Sequence, residues 1–410
     1  MSAHRPRGWI RHVATTMSPM AAVAGGVAME RQAGMRVERL KAAAADRWRQ
    51  RRQPTRPRMR ALSLAPGARF AWRPAPSPPL PQPGGALVHP IAVATCDIDR
   101  AIGLGAAPFP LPLHFGHECV AEVVEVGDGV TGIRPGERVV VPFQINCGEC
   151  VPCKEGRSGN CAAVPPISMY GFGLAGGHWG GAVSDLLAVP FAEAMLVPVP
   201  DGVEPATVAS AADNLADAHY RIAPHLGPGG SGRGDELLIV GSLSTRTNFS
   251  ASVPLYMGQI ALALGARRVR FVDARPFLRA QAERLGIEAL PPRQLDRREL
   301  SPLVIDASGS AAGLDLAVRM TAEDGLCNSV GALHRRARIP TGLMFGRNIT
   351  VHVGRSHARA EIPKVLDLVA SGTIDPAEVT TTVASLDDAP RALREHVTGE
   401  ATKTVLVESA

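Results

Sequence analysis

Residues 236–274 read ELLIVGSLSTRTNFSASVPLYMGQIALALGARRVRFVDA, and the fold turns on them. ELLIVG (236–241) and RVRFVDA (268–274) are strand-like runs, while LYMGQIALALG (255–265) between them has the length and apolar content of a helix. Strand, helix and strand in succession form the unit from which parallel sheets are wound. The alternation continues through helix FLRAQAERLG (277–286), strand LVIDAS (303–308), helix GLDLAVRM (313–320) and strand CNSVGAL (327–333). Helix-like ASAADNLADAHYRIA (209–223) leads into it.

Upstream the rhythm differs. From Met59 to about Val199, short β-rich runs such as ALVHPIAVAT (86–95), CVAEVVEVG (119–127) and RVVVPF (138–143) are split by Gly and Pro, which reads as an irregular, mostly antiparallel β domain. After Gly346, the strand NITVHVG (348–354), the helix EIPKVLDLVASG (361–372) and the strand TKTVLVE (402–408) read as a return to that domain. The fold class is therefore α/β, with boundaries expected at 59–214, 215–345 and 346–410.

The chain's formal charge of +6 sits at one end. Residues 1–58 hold thirteen Lys or Arg against Glu30, Glu38 and Asp46, a net +10, so the remainder carries −4. That extension lacks apolar periodicity and reads as disordered; its arginines resemble a transit peptide or a nucleic-acid arm, but a translation start at Met59, where the first strand-like run begins, is the favoured reading. A basic arm could grip nucleic acid, but the acidic body has no recognition module, so no nucleic-acid partner is expected. No run reaches the roughly 18–20 apolar residues of a membrane span, and a cytoplasmic protein is expected.

Four of the seven cysteines, Cys147, Cys150, Cys153 and Cys161, lie in NCGECVPCKEGRSGNC (146–161), spaced C-x2-C-x2-C-x7-C. Four thiolates can enclose a d10 cation tetrahedrally, so zinc is favoured over disulfides or an iron–sulfur cluster. Such a site leaves no open position and is structural.

The cluster, together with ATCDIDR (94–100), GHECVAEVVEVGDGV (116–130) and RPGERVVVP (134–142) in that order, resembles the zinc-dependent alcohol dehydrogenases of the medium-chain dehydrogenase/reductase superfamily. The likeness runs from Met59 to Val407 and implies a GroES-like catalytic domain with a Rossmann-type doubly wound sheet. It implies a second zinc on Cys96, His117 and Asp213, with Asp99 behind the histidine and Glu118 behind the metal. Read singly, Cys96 is a small core residue, His117 a structural histidine and Asp213 a helix cap. Only the ordered set of ligand types points to a metal. Where the family relays a proton through a hydroxyl and a histidine, this chain has Ile98 and Ala101, which leaves water or Asp217 as the route.

The dinucleotide fingerprint G-x-G-x-x-G is broken. Gly241 serves as its first glycine, but extra residues follow and Pro254 stands where the closing glycine belongs. Ser242, Ser244, Ser250 and Ser252 could serve a phosphate, or the insertion could fill the pocket and weaken the cofactor. Asp273, ending the second strand, favours NAD, while nearby Arg275 softens the preference against NADP. By resemblance, Val330 and Gly331 meet the nicotinamide and Lys403 faces the pyrophosphate. The expectation is thus two zincs per chain, NAD or NADP, reversible oxidation of an alcohol to an aldehyde or ketone, a small-molecule substrate and a homo-oligomer. The rival reading is a dehydrogenase-like scaffold with impaired cofactor binding.

Overall fold

The structure is a computed structural model that describes residues 58–79, 81–107, 109–177, 179–227, 229–330 and 337–409. The basic extension up to residue 57, and Gly331, lie outside the described residues.

The N-terminal part is antiparallel. Strands β1 (Met59–Ala65), β2 (Arg69–Ala75) and β4 (Leu113–His114) form a small sheet in the order β2-β1-β4. Beside it β3 (Ala86–Ala94), β5 (Glu118–Val126), β6 (Arg138–Val141), β7 (Leu187–Val189) and β8 (Val197–Pro198) build a second sheet around the long β3–β5 pair. Leu87, Val88, Val120, Val139 and Val140 are buried in it, the aliphatic filling expected of a chain with few aromatics.

The parallel sheet comprises β9 (Glu236–Val240), β10 (Arg268–Val272), β11 (Glu288–Leu290), β12 (Ser301–Asp306), β13 (Thr321–Ser329) and β14 (Thr350–Val353). Their order is β11-β10-β9-β12-β13-β14, every pair parallel. This is the doubly wound order, whose direction reverses between β9 and β12, and ligands bind outside the strand ends at that reversal. Leu237 through Val240 are all buried because helices cover both faces of the sheet. Three sequence expectations shift here. β14 completes the parallel sheet, so the return to the antiparallel part falls after Val353, not at residue 346. An isolated alternating strand such as TVHV carries no cue to which sheet it joins. The strand expected over 327–333 runs instead from Thr321 to Ser329 and leaves Val330 in the following loop. The helix expected from Ala209 is broken at Asp213.

Eight helices matter to the site: α1 (Asp97–Gly103), α2 (Asn214–Ile222), α3 (Ser252–Ala263), α4 (Pro276–Arg284), α5 (Ala311–Met320), α6 (Thr341–Arg347), α7 (Ala358–Ala370) and α8 (Ala389–Thr398). Helix α3 is buried from Ser252 to Ala261, since it is wedged between the parallel sheet and α2. At Gly258 a Cβ would come within 2.3 Å of Ile287, so only glycine allows that approach. The last strands, β15 (Thr382–Ser385) and β16 (Thr404–Val407), rejoin the antiparallel sheet through β16–β3. One core spans the antiparallel part and one face of the parallel sheet; a second, containing Leu238, Val304, Leu316 and Cys327, lies on the other face. Among the described residues no helix is long and apolar enough to cross a membrane.

Candidate metal centre and nucleotide cleft

Cys96 follows β3 and caps α1, and its backbone N–H donates to Asp99 Oδ2 at 2.8 Å. His117 is held where Gly116, at φ +93°, turns the chain into β5. Asp213 stands between a 3-10 turn (Ala209–Ala212) and α2, with φ −146° and ψ −77°, and does not cap α2 with its side chain. That break projects its carboxylate at the other two residues. Cys96 Sγ lies 3.3 Å from Asp213 Oδ2, and His117 Nε2 lies 3.3 Å from the same oxygen.

The donor atoms of Cys96, His117, Glu118 and Asp213 all fall within 4.8 Å of one another. His117 is 1% exposed, yet neither ring nitrogen has a hydrogen-bond partner, and Glu118 Oε1 and Asp99 Oδ1 are equally orphaned. Buried polar atoms rarely go unpaired. A sulfur, an imidazole nitrogen and a carboxylate oxygen that converge, the imidazole without a hydrogen-bond partner, fit a zinc ion with an open position. Burial, then the Asp213, Glu118 and Asp99 charges, push the Cys96 thiol well above its usual range. Burial disfavours a charged His117, but Asp99, Asp213 and Glu118 outweigh it and raise the ring's pKa. So much negative potential in a closed space is what a divalent cation would relieve.

Two partners of this centre escape a reading by residue type. Asn214 Nδ2 donates to Cys96 Sγ at 3.1 Å. Lys403, expected to face a pyrophosphate, is fully buried and donates instead to Glu118 Oε2 at 2.7 Å and Asn214 Oδ1 at 2.9 Å. Asp99 Oδ1 stands 3.8 Å from His117 Nδ1.

The other four cysteines converge separately. Their sulfurs also lie within 4.8 Å of one another, and Cys150 Sγ to Cys161 Sγ is 3.9 Å, far longer than a disulfide. Backbone amides of Cys150, Ala162 and Cys147 point at Cys147, Cys150 and Cys161 sulfurs at 3.3–3.4 Å. Such donors stabilise thiolates, and the Ala162 amide heads the causes that lower Cys150 to about 6. The set fits a closed four-thiolate zinc site.

A cavity of about 200 Å³ opens beside Cys96 and Asp213. Ile98, Phe109, Phe143, Met169 and Phe172 wall it on one side, and Ala307, Gly309 and Val330, beyond the ends of β12 and β13, on the other. Phe172 tilts over the His117 ring with centroids 4.7 Å apart. Asp217 lies on the wall and accepts from Arg221 Nε at 3.1 Å.

In the nucleotide cleft, Gly241 passes so close to the next strand that a Cβ would meet Asp273 Oδ2 at 2.5 Å. Asp273 follows directly on β10 but is fully buried, and both oxygens are engaged. Oδ1 accepts from Arg275 N and Nε, and Oδ2 accepts from Arg275 Nη2 and Ser242 N, all at 2.8–2.9 Å. The inserted serines do not face an open phosphate site either. Ser242 Oγ donates to Ser244 O, while Ser250 and Ser252 turn to Asp97. The sheet suits a dinucleotide, but as folded the groups that would receive it are already satisfied from within.

The doubly wound sheet joined to an antiparallel lobe with two convergent metal-ligand sets defines a two-part dehydrogenase. Residues 82–201 match the alcohol dehydrogenase GroES-like domain. The chain is 28% identical over 323 residues to a probable zinc-binding alcohol dehydrogenase of Mycobacterium tuberculosis, covering 77% of this chain and 79% of that protein. It is 26% identical over 361 residues to the glutathione-independent formaldehyde dehydrogenase of Bacillus subtilis, covering 78% and 86%. The solved alcohol dehydrogenase TADH from Thermus sp. ATN1 superposes with a TM-score of 0.76 at 29% identity, over 86% of this chain and all of that one. Over most of its length the chain is thus similar to zinc-dependent alcohol dehydrogenases, and these likenesses support zinc and NAD(P) as its cofactors.

Proposed function

We propose that this protein interconverts an alcohol and an aldehyde or ketone in the cavity beside Cys96, with those three side chains (Cys96, His117, Asp213) holding a catalytic zinc and Cys147, Cys150, Cys153 and Cys161 a structural one. The single observation that carries the reading is the meeting of Cys96 Sγ, His117 Nε2 and Asp213 Oδ2 in a buried space where the histidine has no other partner. When bound, zinc supplies Lewis acidity that stabilises negative charge on the substrate oxygen.

The protein's own residues do the rest. Asn214 Nδ2 donates to the Cys96 sulfur and favours its thiolate. Asp99 Oδ1, 3.8 Å from His117 Nδ1, places a negative charge behind the ring while Nε2 faces Asp213. Lys403 compensates Glu118 behind the centre, so that carboxylate need not compete for substrate protons. Phe109, Phe143 and Phe172 exclude water and select an apolar substrate body. With Ile98 and Ala101 where a hydroxyl and a histidine would relay a proton, Asp217 on the cavity wall, paired with Arg221, is the carboxylate that would take it.

A cytoplasmic location and a homo-oligomer complete the proposal. Among the described residues β14 is an edge strand of the parallel sheet, and with Val353 and Phe345 exposed beside it this supports the second. The test is zinc analysis of purified protein beside NAD(P)H absorbance over a panel of primary, secondary and aromatic alcohols. Two zincs per chain with alcohol-dependent reduction supports the function; a fully zinc-loaded protein that reduces neither NAD nor NADP with any alcohol contradicts it.

A further inference from the structure

In a doubly wound sheet the helix after the first strand receives a dinucleotide's pyrophosphate on its leading amides, and the acid ending the second strand receives the ribose. Both receivers are occupied here by the chain's own side chains. Asp97, next to Cys96 and first in α1, reaches across to α3. Its Oδ1 accepts from Ser252 N at 2.7 Å, Ser252 Oγ at 2.6 Å and Ser250 Oγ at 3.2 Å, and its Oδ2 accepts from Val253 N at 3.1 Å. Ser250 N in turn donates to Asp97 O. An anion held by the first two amides and the Ser252 hydroxyl of a twelve-residue helix, and by the Ser250 hydroxyl just before it, stands where a phosphate group would be bound.

The rest of the insertion is fastened over the same cleft. Arg275 grips Asp273 on both oxygens and sends Nη1 to Phe249 O at 2.8 Å. Phe249 lies so close over Gly309, just past the end of β12, that a Cβ there would come within 2.5 Å of the ring. Residues 242–253 are thereby pinned at the reversal point of the sheet by Asp97, Phe249 and Arg275. The connection between the metal lobe and the nucleotide half at this point is a carboxylate, and a pyrophosphate brought to the same amides meets like charge.

We propose that Asp97 is an internal stand-in for the dinucleotide's pyrophosphate. Cofactor and carboxylate compete for the Ser252 and Val253 amides, so Asp97 sets the affinity for NAD(P), and its release, with the parting of Arg275 from Asp273, accompanies cofactor entry. This rests on the oxidoreductase reading above and adds the residue that limits its cofactor step. The contact also couples the two halves. Asp97 is bonded in sequence to Cys96, so a cofactor that displaces it moves the first turn of α1 at the metal centre.

The test is NADH binding to the zinc-loaded full chain, followed by NADH fluorescence, for the wild type, Asp97→Asn and Asp97→Ser. Removing the competing charge should tighten binding at least about tenfold, with Arg275→Ala adding to the effect. An unchanged or weaker Kd in both Asp97 variants overturns the proposal. Should that occur while wild-type protein turns over alcohol with NAD(P), the oxidoreductase reading stands and this inference alone falls. A crystal structure of the wild-type NADH complex tests the same point without variants. The proposal expects a phosphate oxygen on the Ser252 and Val253 amides with Asp97 turned away, and a complex in which Asp97 keeps both amides overturns it.

Discussion

Lys403→Met is the substitution that separates the buried-pair reading of Lys403 from the phosphate-facing one. The side chain and its Glu118 partner are both wholly inaccessible. The ammonium donates at 2.7 Å to Glu118 Oε2 and at 2.9 Å to Asn214 Oδ1, and lies 5.7 Å from the Tyr256 ring centroid. Methionine keeps the apolar stem and removes the charge. Two charge-assisted hydrogen bonds at about 1.5–3 kcal/mol each give a loss of about 3–6 kcal/mol. Breaking a buried pair from one side is independently worth about 3–5 kcal/mol, because Glu118 keeps a desolvated carboxylate whose Oε1 has no partner already. Urea unfolding at fixed zinc should therefore show a loss of about 3–5 kcal/mol, and Glu118→Gln combined with Lys403→Met should recover at least half of it. A loss below about 1 kcal/mol, the scale of an exposed pair, would refute the reasoning. So would a double variant no more stable than Lys403→Met alone.

Cys153→Ser should lower zinc content by about one ion per chain and concentrate proteolytic cuts within residues 147–161, since metal binding and the folding of such a lobe are linked; unchanged zinc content contradicts the four-thiolate assignment. Glu361 gives a pH prediction. Burial pushes its carboxyl up, but hydrogen bonds from His219 and Lys364 outweigh this and hold it below its ordinary 4.5. A depressed folded pKa contributes stability that is present above the unfolded value and lost as pH falls through the folded one. Glu361→Gln should therefore flatten the fall in unfolding free energy on acidification below about pH 4.5; an identical slope contradicts it. Phe172→Ala should raise kcat/KM for bulky aromatic alcohols over small ones by about tenfold or more, because it opens the cavity wall at the His117 ring. An unchanged ratio removes Phe172 from the substrate wall.

Much of the architecture was legible because it depends on local pattern. The alternation over residues 236–329 specifies parallel strands with covering helices, and the spacing of Cys147 to Cys161 specifies one compact cluster. The convergence of Cys96, His117 and Asp213 was legible only as an ordered set of ligand types, since each alone reads as something plainer. What stayed hidden depends on partners remote in sequence. Lys403 is recognisably basic, but which anion it meets is decided by Glu118, 285 positions earlier. Asp97 reads as a loop acid until α3, 155 positions on, presents its amides. Asn214, beside an expected ligand, carries no pattern at all, though its place directly after Asp213 at the start of α2 was a usable hint. The strand β14 was placed in the wrong sheet because its alternation serves either one.

A zinc ion should lie at the meeting point of Cys96, His117 and Asp213, and anomalous diffraction across the zinc edge will locate it. Two peaks per chain are expected, one among the four clustered cysteines and one at about 2.0–2.3 Å from Cys96 Sγ, His117 Nε2 and an Asp213 carboxylate oxygen. A full peak in the cysteine lobe with none between those three side chains would contradict it.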